Sequence, residues 1–138
     1  MKKTTLYVEV ADTPTKQANG LMFRKELEPY SGMLFRFGNP KVLSFWGLNT
    51  YIPLDIAFIS PENKIVKISR IKPFSKDGVC SDVDCTMAVE ANDGFFASHG
   101  IKVGDVMRLS DDDNCDAVIF GNEKDIDEHE FTLKDIFS

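Results

Sequence analysis

The stretch LDIAFISPENKIVKISRI, residues 54–71, largely determines the fold that this sequence predicts. In LDIAFI (54–59) every second residue is apolar, which is the period of an extended chain with one buried face. KIVKISRI (64–71) alternates in the same way, and Pro-Glu-Asn at 61–63 is a turn signal between the two runs. The stretch therefore predicts a β-hairpin that carries a single carboxylate, Asp55, in its first, otherwise apolar strand.

The same alternation recurs on both sides of this hairpin. It is present in LYVEV (6–10), MLFRF (33–37), TMAVEA (86–91) and DVMRL (105–109). Several short strands separated by turn signals are typical of all-β sandwiches and small barrels. We therefore expect a mainly β (α+β) domain, either a sandwich or a barrel.

Helix signals are few. Pro14 follows an N-cap candidate and predicts a short helix over residues 14–22. Residues 94–100 are typical of one or two helical turns, in which His99 is expected to hydrogen-bond the last carbonyls. Apolar residues within 133–137 predict a short docking helix. The fold is thus β-rich with a few short helices.

Charge divides the 138-residue chain into two parts. Residues 1–74 carry a net charge of +5 and residues 75–138 a net charge of −11. We expect one domain over residues 1–110, followed by an acidic C-terminal extension over 111–138 that is a candidate surface for a protein partner. Scattered lysines and this acidic extension argue against nucleic-acid binding.

The sequence predicts no membrane span, because no run approaches the roughly 18–20 apolar residues that a span needs. The N-terminus lacks the apolar region of a signal peptide, so we expect a cytoplasmic protein. Cys80, Cys85 and Cys115 are then expected to be free thiols, with a Cys–His nucleophile as the alternative. His99 and His129 do not stand at zinc-site spacing from the cysteines, and we predict no metal and no cofactor.

One acidic segment, DDNCDAVIFGNE (112–123), leaves calcium binding open. Its oxygen-bearing residues stand at the spacing of a calcium-binding loop, but Ala117 replaces the glycine that makes the sharp bend. The alternative is a solvated acidic loop. The residues concerned are Asp112, Asn114, Asp116 and Glu123.

Five motifs support a resemblance to a known family. They are GLMFR (20–24), GMLF (32–35), SFW (44–46), NTYIPLDIAFI (49–59) and HGIKVGD (99–105). In order and spacing they resemble the bacterial and archaeal domain-of-unknown-function family 192. The resemblance implies a compact, jelly-roll-like β fold with a few short helices, and it implies no established activity.

The chain departs from that family in three respects. Many family members carry an export or lipoprotein signal, which this sequence does not show. Gly47-Leu48 stands where the family usually has Met-Lys, so a positive charge beside Trp46 is missing. The acidic segment after residue 110 also lies outside the family pattern.

A candidate site surrounds the loop between Trp46 and Asp55. Arg24 is the expected cationic neighbour of Asp55, because arginine is the preferred partner of a partly buried carboxylate. An aromatic face beside amide, hydroxyl and charged groups suits a small polar ligand. The structural alternative is that Arg24 and Asp55 only tie down the 47–53 loop. The predicted ligand-binding residues are Arg24, Trp46, Asn49, Thr50 and Asp55.

These residues favour a non-catalytic binding module for a small polar ligand, with carbohydrate as one candidate. A structural or accessory protein that uses the acidic extension is the first alternative. The second is a hydrolase-like enzyme centred on Asp55, which needs another carboxylate nearby. The sequence does not choose among the candidates for that second acid, which are Glu9, Asp12, Glu62 and Glu90.

Overall fold

The structure is a computed structural model that describes residues 3–112 and 114–124. Seven strands of these residues form one sheet in the order β4-β3-β5-β2-β1-β7-β6, curled into a half-barrel. The predicted β-rich fold with short helices is confirmed. Along the chain the elements are β1 (Thr4–Ala11), α1 (Pro14–Asn19), β2 (Ser31–Phe45), β3 (Leu54–Ile59), β4 (Ile65–Ile71), β5 (Val79–Asn92), α2 (Phe95–Ser98), β6 (Val106–Leu109) and β7 (Ala117–Gly121).

The pairing of the strands confirms the hairpin and refines the fold class. β3 and β4 are antiparallel, with Asp55 opposite Arg70. β1 and β2 are parallel, whereas the other pairs are antiparallel. A jelly roll packs two antiparallel sheets, so the single curled sheet matches the barrel alternative and the jelly-roll detail is not confirmed. No helix in the described residues is long and apolar enough to span a membrane.

The two edge strands meet at one end of the sheet. The Ile65 N–H at the start of β4 donates to the Asp105 carbonyl at 2.8 Å, and the Met107 N–H of β6 donates to the Asn63 carbonyl at 2.9 Å. These bonds occupy backbone groups that an open edge would leave unpaired. The half-barrel is therefore closed at this end.

Strand β2 is unusually long because it bends instead of ending. Its register with β5 shifts between Arg36 and Lys41 and again between Val42 and Ser44. Pro40, which has no N–H to donate, lies within the first shift, as expected for a proline at a bulge. The bends let residues 41–45 continue beside β5 and form one wall of the cavity described below.

The sheet has a hydrophobic core on each face. The first core contains residues of all seven strands together with Phe95 and Phe96 of α2. The second core covers the opposite face of β2, β3 and β5 and includes Leu21, from the turn after α1. The two faces therefore present different surroundings to any polar side chain that the central strands carry.

Strand β7 corrects the predicted boundary at residue 110. It pairs with β1 on one side and β6 on the other. Val118 and Phe120 are buried in the first core. Residues 117–121 are thus part of the domain and not an appendage. The predicted helix at 133–137 lies outside the described residues.

Candidate functional site

The structure does not bring the five predicted site residues into one patch. Trp46 and Thr50 line one cavity, which we call the Trp46 cavity. Arg24 lines a second concavity and Asp55 a third. Asn49 lies in the turn between Trp46 and Thr50. The predicted site residues are therefore divided among three separate concavities and one turn.

Arg24 is paired with Glu9 and not with Asp55, so the prediction that it neighbours Asp55 is wrong. Its guanidinium donates to both oxygens of the Glu9 carboxylate, at 2.7 Å from Nη2 to Oε1 and at shorter range from Nη1 to Oε2. These bonds lower the pKa of the Glu9 carboxyl. The Arg24 guanidinium is therefore bonded to Glu9 of β1 and not to a residue of the 47–53 loop.

Asp55 holds the first turn of α2. It is 7% exposed, and its Oδ2 accepts a hydrogen bond from the Phe96 N–H at 3.4 Å. Burial raises the pKa of the Asp55 carboxyl, while hydrogen bonds from the backbone of Gly94 and Phe96 act in the opposite direction. The cation facing it is Arg70, which bonds Asp93 at 2.7 Å. Asp55 thus supports residues 94–96 and not the 47–53 loop.

The turn at 47–50 is a junction of backbone hydrogen bonds. The Phe23 N–H donates to the Asn49 carbonyl and the Phe74 N–H to the Gly47 carbonyl, both at 2.8 Å. Asn49 itself has φ 58°, a left-handed conformation that asparagine tolerates well. A Cβ at Gly47 would lie 1.9 Å from the Lys72 carbonyl oxygen, so this position requires glycine. The turn fixes Trp46 and Thr50 on either side of it.

The Trp46 cavity has a volume of about 410 Å³. This lies in the usual range for small-molecule sites, on the order of 300–1,000 Å³. Four aromatic side chains contribute to its lining, and the Trp46 indole, 48% exposed, stands at its rim. The remaining lining comes from residues 17–22, from residues 35, 37 and 41–45 of β2, and from Thr50 and Glu90.

Glu90 is the exceptional group in this cavity. It lies on β5 between Met33 and Ile56, whose side chains belong to the second core. The residue is 5% exposed, and among the described residues its carboxyl has no hydrogen-bond or ion-pair partner. Burial raises the pKa of the Glu90 carboxyl to about 8.

No second charge in the cavity compensates Glu90. In the described chain, Lys41 is the only other titratable side chain that lines it. The Lys41 ammonium lies over the Phe37 ring, 4.7 Å from its centroid, and no ion pair joins it to Glu90. The cavity therefore holds an acid without a partner.

Asp55 and Glu90 do not form a catalytic pair. The antiparallel register places Glu90 opposite Ile56, so Asp55, the next residue along β3, points to the other face of the sheet. The pattern TMAVEA placed Glu90 on one face of a strand, but only the structure shows that this face opens into a cavity. Glu90 is therefore not the second acid of an Asp55 pair, the role for which the sequence made it a candidate.

The calcium-binding alternative at 112–123 is also wrong. Asp112 accepts a hydrogen bond from the Asn114 N–H at 2.9 Å, and Glu123 pairs with Lys64 at 3.3 Å. The five residues of β7 stand extended between these two acids, so the loop cannot close on one ion. Within residues 3–112 and 114–124, no three acidic, histidine or cysteine side chains form a group able to hold a metal ion.

His99 has the capping role that the sequence predicted. Its Nδ1 lies 2.8 Å from the Phe95 carbonyl, which can only accept, so Nδ1 carries the proton of this bond. Its Nε2 lies 3.2 Å from the Tyr30 hydroxyl. All three cysteines are free thiols, as predicted. Because both ring nitrogens have these partners, no Cys–His pair forms at His99.

Comparison with known proteins agrees with this fold. A crystal structure of a candidate transcription regulator from Sinorhizobium meliloti is 31% identical, with a TM-score of 0.72, and the match covers 76% of this chain and 92% of that one. A protein of unknown function from Novosphingobium aromaticivorans is 34% identical, with a TM-score of 0.70, and covers 75% and 81% respectively. None of the curated proteins matches the sequence.

The family comparison covers most of the domain. Residues 1–109 match the family DUF192, described as "Uncharacterized ACR". The match extends from before β1 to the end of β6, and it stops short of β7. The chain therefore belongs to the domain-of-unknown-function family 192.

Proposed function

We propose that this protein is a binding module for a small polar ligand and that the Trp46 cavity is its site. The observation that carries the proposal is the unpartnered carboxyl of Glu90 in a cavity of about 410 Å³. Nearly all buried polar groups in folded proteins have a hydrogen-bond partner. A buried acid that the described chain leaves unpaired therefore calls for a partner from outside the chain.

The rest of the cavity supports the same function. The Trp46 indole offers a flat, half-exposed aromatic face, which can stack on a ligand at the rim. Thr50 adds a buried hydroxyl whose one hydrogen bond, to the Leu48 carbonyl, is long at 3.4 Å. Aromatic and aliphatic side chains beside several polar groups are typical of small-molecule sites. Carbohydrate remains one candidate, because sugars stack on aromatic faces and bond hydroxyl groups.

The proposal is tested by ligand-induced changes located in the cavity. Trp46 is the only tryptophan, so its fluorescence reports directly on the rim. We expect at least one member of a panel of monosaccharides, nucleosides and small amines to change this fluorescence and to shift the amide NMR signals of residues 17–22 and 41–46. No shift with any member at millimolar concentration would overturn the proposal.

A blocking variant separates specific binding from surface effects. Ala18 of α1 lines the cavity and is exposed, so Ala18→Phe is expected to fill its mouth without disturbing either core. Thr15→Phe is the matched control, because Thr15 is exposed on the same helix but does not line the cavity. Binding that survives Ala18→Phe as well as it survives Thr15→Phe would place the ligand elsewhere.

The alternative functions gain no support from the geometry. The carboxylate that acts on Asp55 is Asp93, but Arg70 bonds Asp93 at 2.7 Å and the backbone of α2 engages the Asp55 carboxylate, so neither acid is free for acid–base work. A protein partner for residues 111–138 stays a prediction, since residues 125–138 lie outside the described residues. The cytoplasmic location also stays a prediction.

A further inference from the structure

We propose that the ligand of the Trp46 cavity carries an ammonium group on an apolar body, and that Glu90 binds this group as a carboxylate. The inference rests on the proposed function, because it names the chemical class of the ligand for the same cavity. It assigns to Glu90 the role of a binding residue.

Charge is the first argument. A buried carboxylate without a counter-charge is strongly disfavoured, and a cation with good geometry offsets much of the cost. Lys41 cannot supply that cation where it stands, because its ammonium lies over the Phe37 ring. Since Lys41 is the only basic side chain that lines the cavity in the described chain, the complementary charge has to come with the ligand.

The aromatic lining is the second argument. Phe35 and Phe45 meet edge to face with ring centroids 4.9 Å apart, and Trp46 lies next to Phe45 in the chain. Aromatic faces attract ammonium groups and also pack against hydrocarbon. An amine with an apolar body uses both properties of this surface.

The lack of a counter-charge among the polar lining groups is the third argument, and it counts against a neutral polyhydroxyl ligand. The Gln17 amide lines the cavity, but its N–H groups already donate to the carbonyls of Ala11, at 3.3 Å, and Arg36, at 2.7 Å. The Asn19 amide and the Ser44 and Thr50 hydroxyls can bond a sugar, but a neutral sugar brings no positive charge to a buried Glu90 carboxylate. One buried acceptor without a counter-charge fits one cationic group better.

Binding of an ammonium group is coupled to loss of a proton from Glu90. Near neutral pH the empty site holds a protonated carboxyl, because burial raises the pKa of Glu90 to about 8. An ammonium ion from solution then binds the carboxylate, and the Glu90 proton goes to the buffer. A neutral ligand that accepts a hydrogen bond from the protonated carboxyl releases no proton.

This difference gives the decisive experiment, which compares phenethylamine with phenethyl alcohol on the wild-type protein. Calorimetry in buffers of different ionisation enthalpy counts the protons released. We expect close to one proton per bound phenethylamine near pH 7, and an affinity that rises about tenfold per pH unit up to about pH 8. Phenethyl alcohol is expected to release none and to bind more weakly as Glu90 ionises.

Variants assign the effect to Glu90. Glu90→Gln keeps the size of the side chain. It is expected to weaken the binding of phenethylamine on the order of tenfold or more and to leave the binding of phenethyl alcohol nearly unchanged. Glu9→Gln is the matched control, because Glu9 is an acid of another concavity. If Glu90→Gln fails to fold, the proton count on the wild type still decides.

The outcomes separate this inference from the proposed function. Binding of phenethyl alcohol as tight as that of phenethylamine, without proton release, would overturn the ammonium inference and leave the cavity as a ligand site. Equal loss of phenethylamine binding in Glu90→Gln and Glu9→Gln would also overturn it. Failure of the whole panel, including both of these probes, to perturb the cavity would overturn the proposed function as well.

Discussion

Asp55 and Glu90 are two buried acids on adjacent central strands, and the opposite faces of the sheet use them differently. Asp55 faces the first core, where backbone N–H groups of Gly94 and Phe96 bond its carboxylate. Glu90 faces the second core, where the described chain offers it no partner and the Trp46 cavity opens beside it. Burial raises the pKa of both acids, so burial by itself does not distinguish them.

The difference lies in where each acid finds its hydrogen bonds. Asp55 gains compensation from within the fold, which makes its role structural. The sheet holds Glu90 in an environment that disfavours its charged form. Such a cost is typical of functional sites, where a ligand supplies the missing interaction. A buried acid therefore indicates a function in this molecule only when its partners are counted. Four predictions test the comparison.

The largest effect is expected from Glu90→Gln, measured as the free energy of unfolding against pH. Between pH 4.5 and about 8, the folded state keeps a proton on Glu90 that the unfolded state has lost. The wild type is therefore destabilised as pH rises, by up to about 5 kcal/mol at about 1.4 kcal/mol per pKa unit. Glutamine does not titrate, so the variant gains stability relative to the wild type over this window.

Urea unfolding at several pH values measures this gain. Below about pH 4.5 the acid is neutral in both states, and the relative gain should vanish. Glu9→Gln is the control, since Arg24 lowers the pKa of Glu9 and any effect should have the opposite sign. A Glu90→Gln difference that stays constant with pH would mean that folding does not raise the pKa of Glu90, and it would contradict an unpartnered buried acid.

The second prediction concerns β7, the strand beyond the predicted domain boundary, and its contribution to the first core. Phe120 is buried, and its ring lies 5.5 Å from that of Phe96, the residue whose N–H bonds Asp55. Phe120→Ala is expected to lower the free energy of unfolding by about 4 kcal/mol, because it leaves a cavity among well-packed rings. Chemical denaturation measures the loss.

We expect Phe120→Ala to lower stability without weakening ligand binding. Phe120 does not line the Trp46 cavity, so a folded Phe120→Ala protein should bind phenethylamine with wild-type affinity. Phe74→Ala is a suitable control, since Phe74 is an exposed phenylalanine. If Phe120→Ala cost no more stability than Phe74→Ala, β7 would be an appendage after all.

The third prediction compares two replacements of Asp55. Asp55→Ala leaves the Phe96 N–H without an acceptor and should cost about 2 kcal/mol, whereas Asp55→Asn keeps one acceptor oxygen and should cost less. Neither change should alter phenethylamine binding, because Asp55 lies on the other face of the sheet. Thermal unfolding and calorimetry measure the two properties separately. Loss of binding in a stably folded Asp55→Asn protein would contradict the structural role.

Much of the fold could be predicted because alternation is a local signal. The hairpin at 54–71 was readable from its own residues, and so were the strands around residues 6–10 and 105–109. Strand β7 was missed because AVIFG is short and stands among acidic residues, so that only its pairing with β1 reveals it. The continuation of β2 past Pro40 was missed because a bulge keeps no two-residue period.

The site was harder to predict because it depends on long-range packing. The sequence identified Trp46 and Thr50, which do line one cavity. It could not show that Arg24 bonds Glu9, since any of several acids was an equally plausible partner by chemistry alone. Nor could it show that α1 and the bent half of β2 enclose Glu90. Strand period gives the face of a residue, and only tertiary structure gives its neighbours.

The smallest effect is expected from Arg24→Gln, which removes the guanidinium once assigned to Asp55. The Arg24 and Glu9 side chains are 38% and 53% exposed, so their ion pair is well screened and its loss should cost at most about 1 kcal/mol. The cost should shrink further at high salt, because screening weakens exposed pairs. Urea unfolding at low and high ionic strength measures it. Because Arg24 lies outside the Trp46 cavity, phenethylamine should bind Arg24→Gln as it binds the wild type, and weaker binding would return Arg24 to the ligand site.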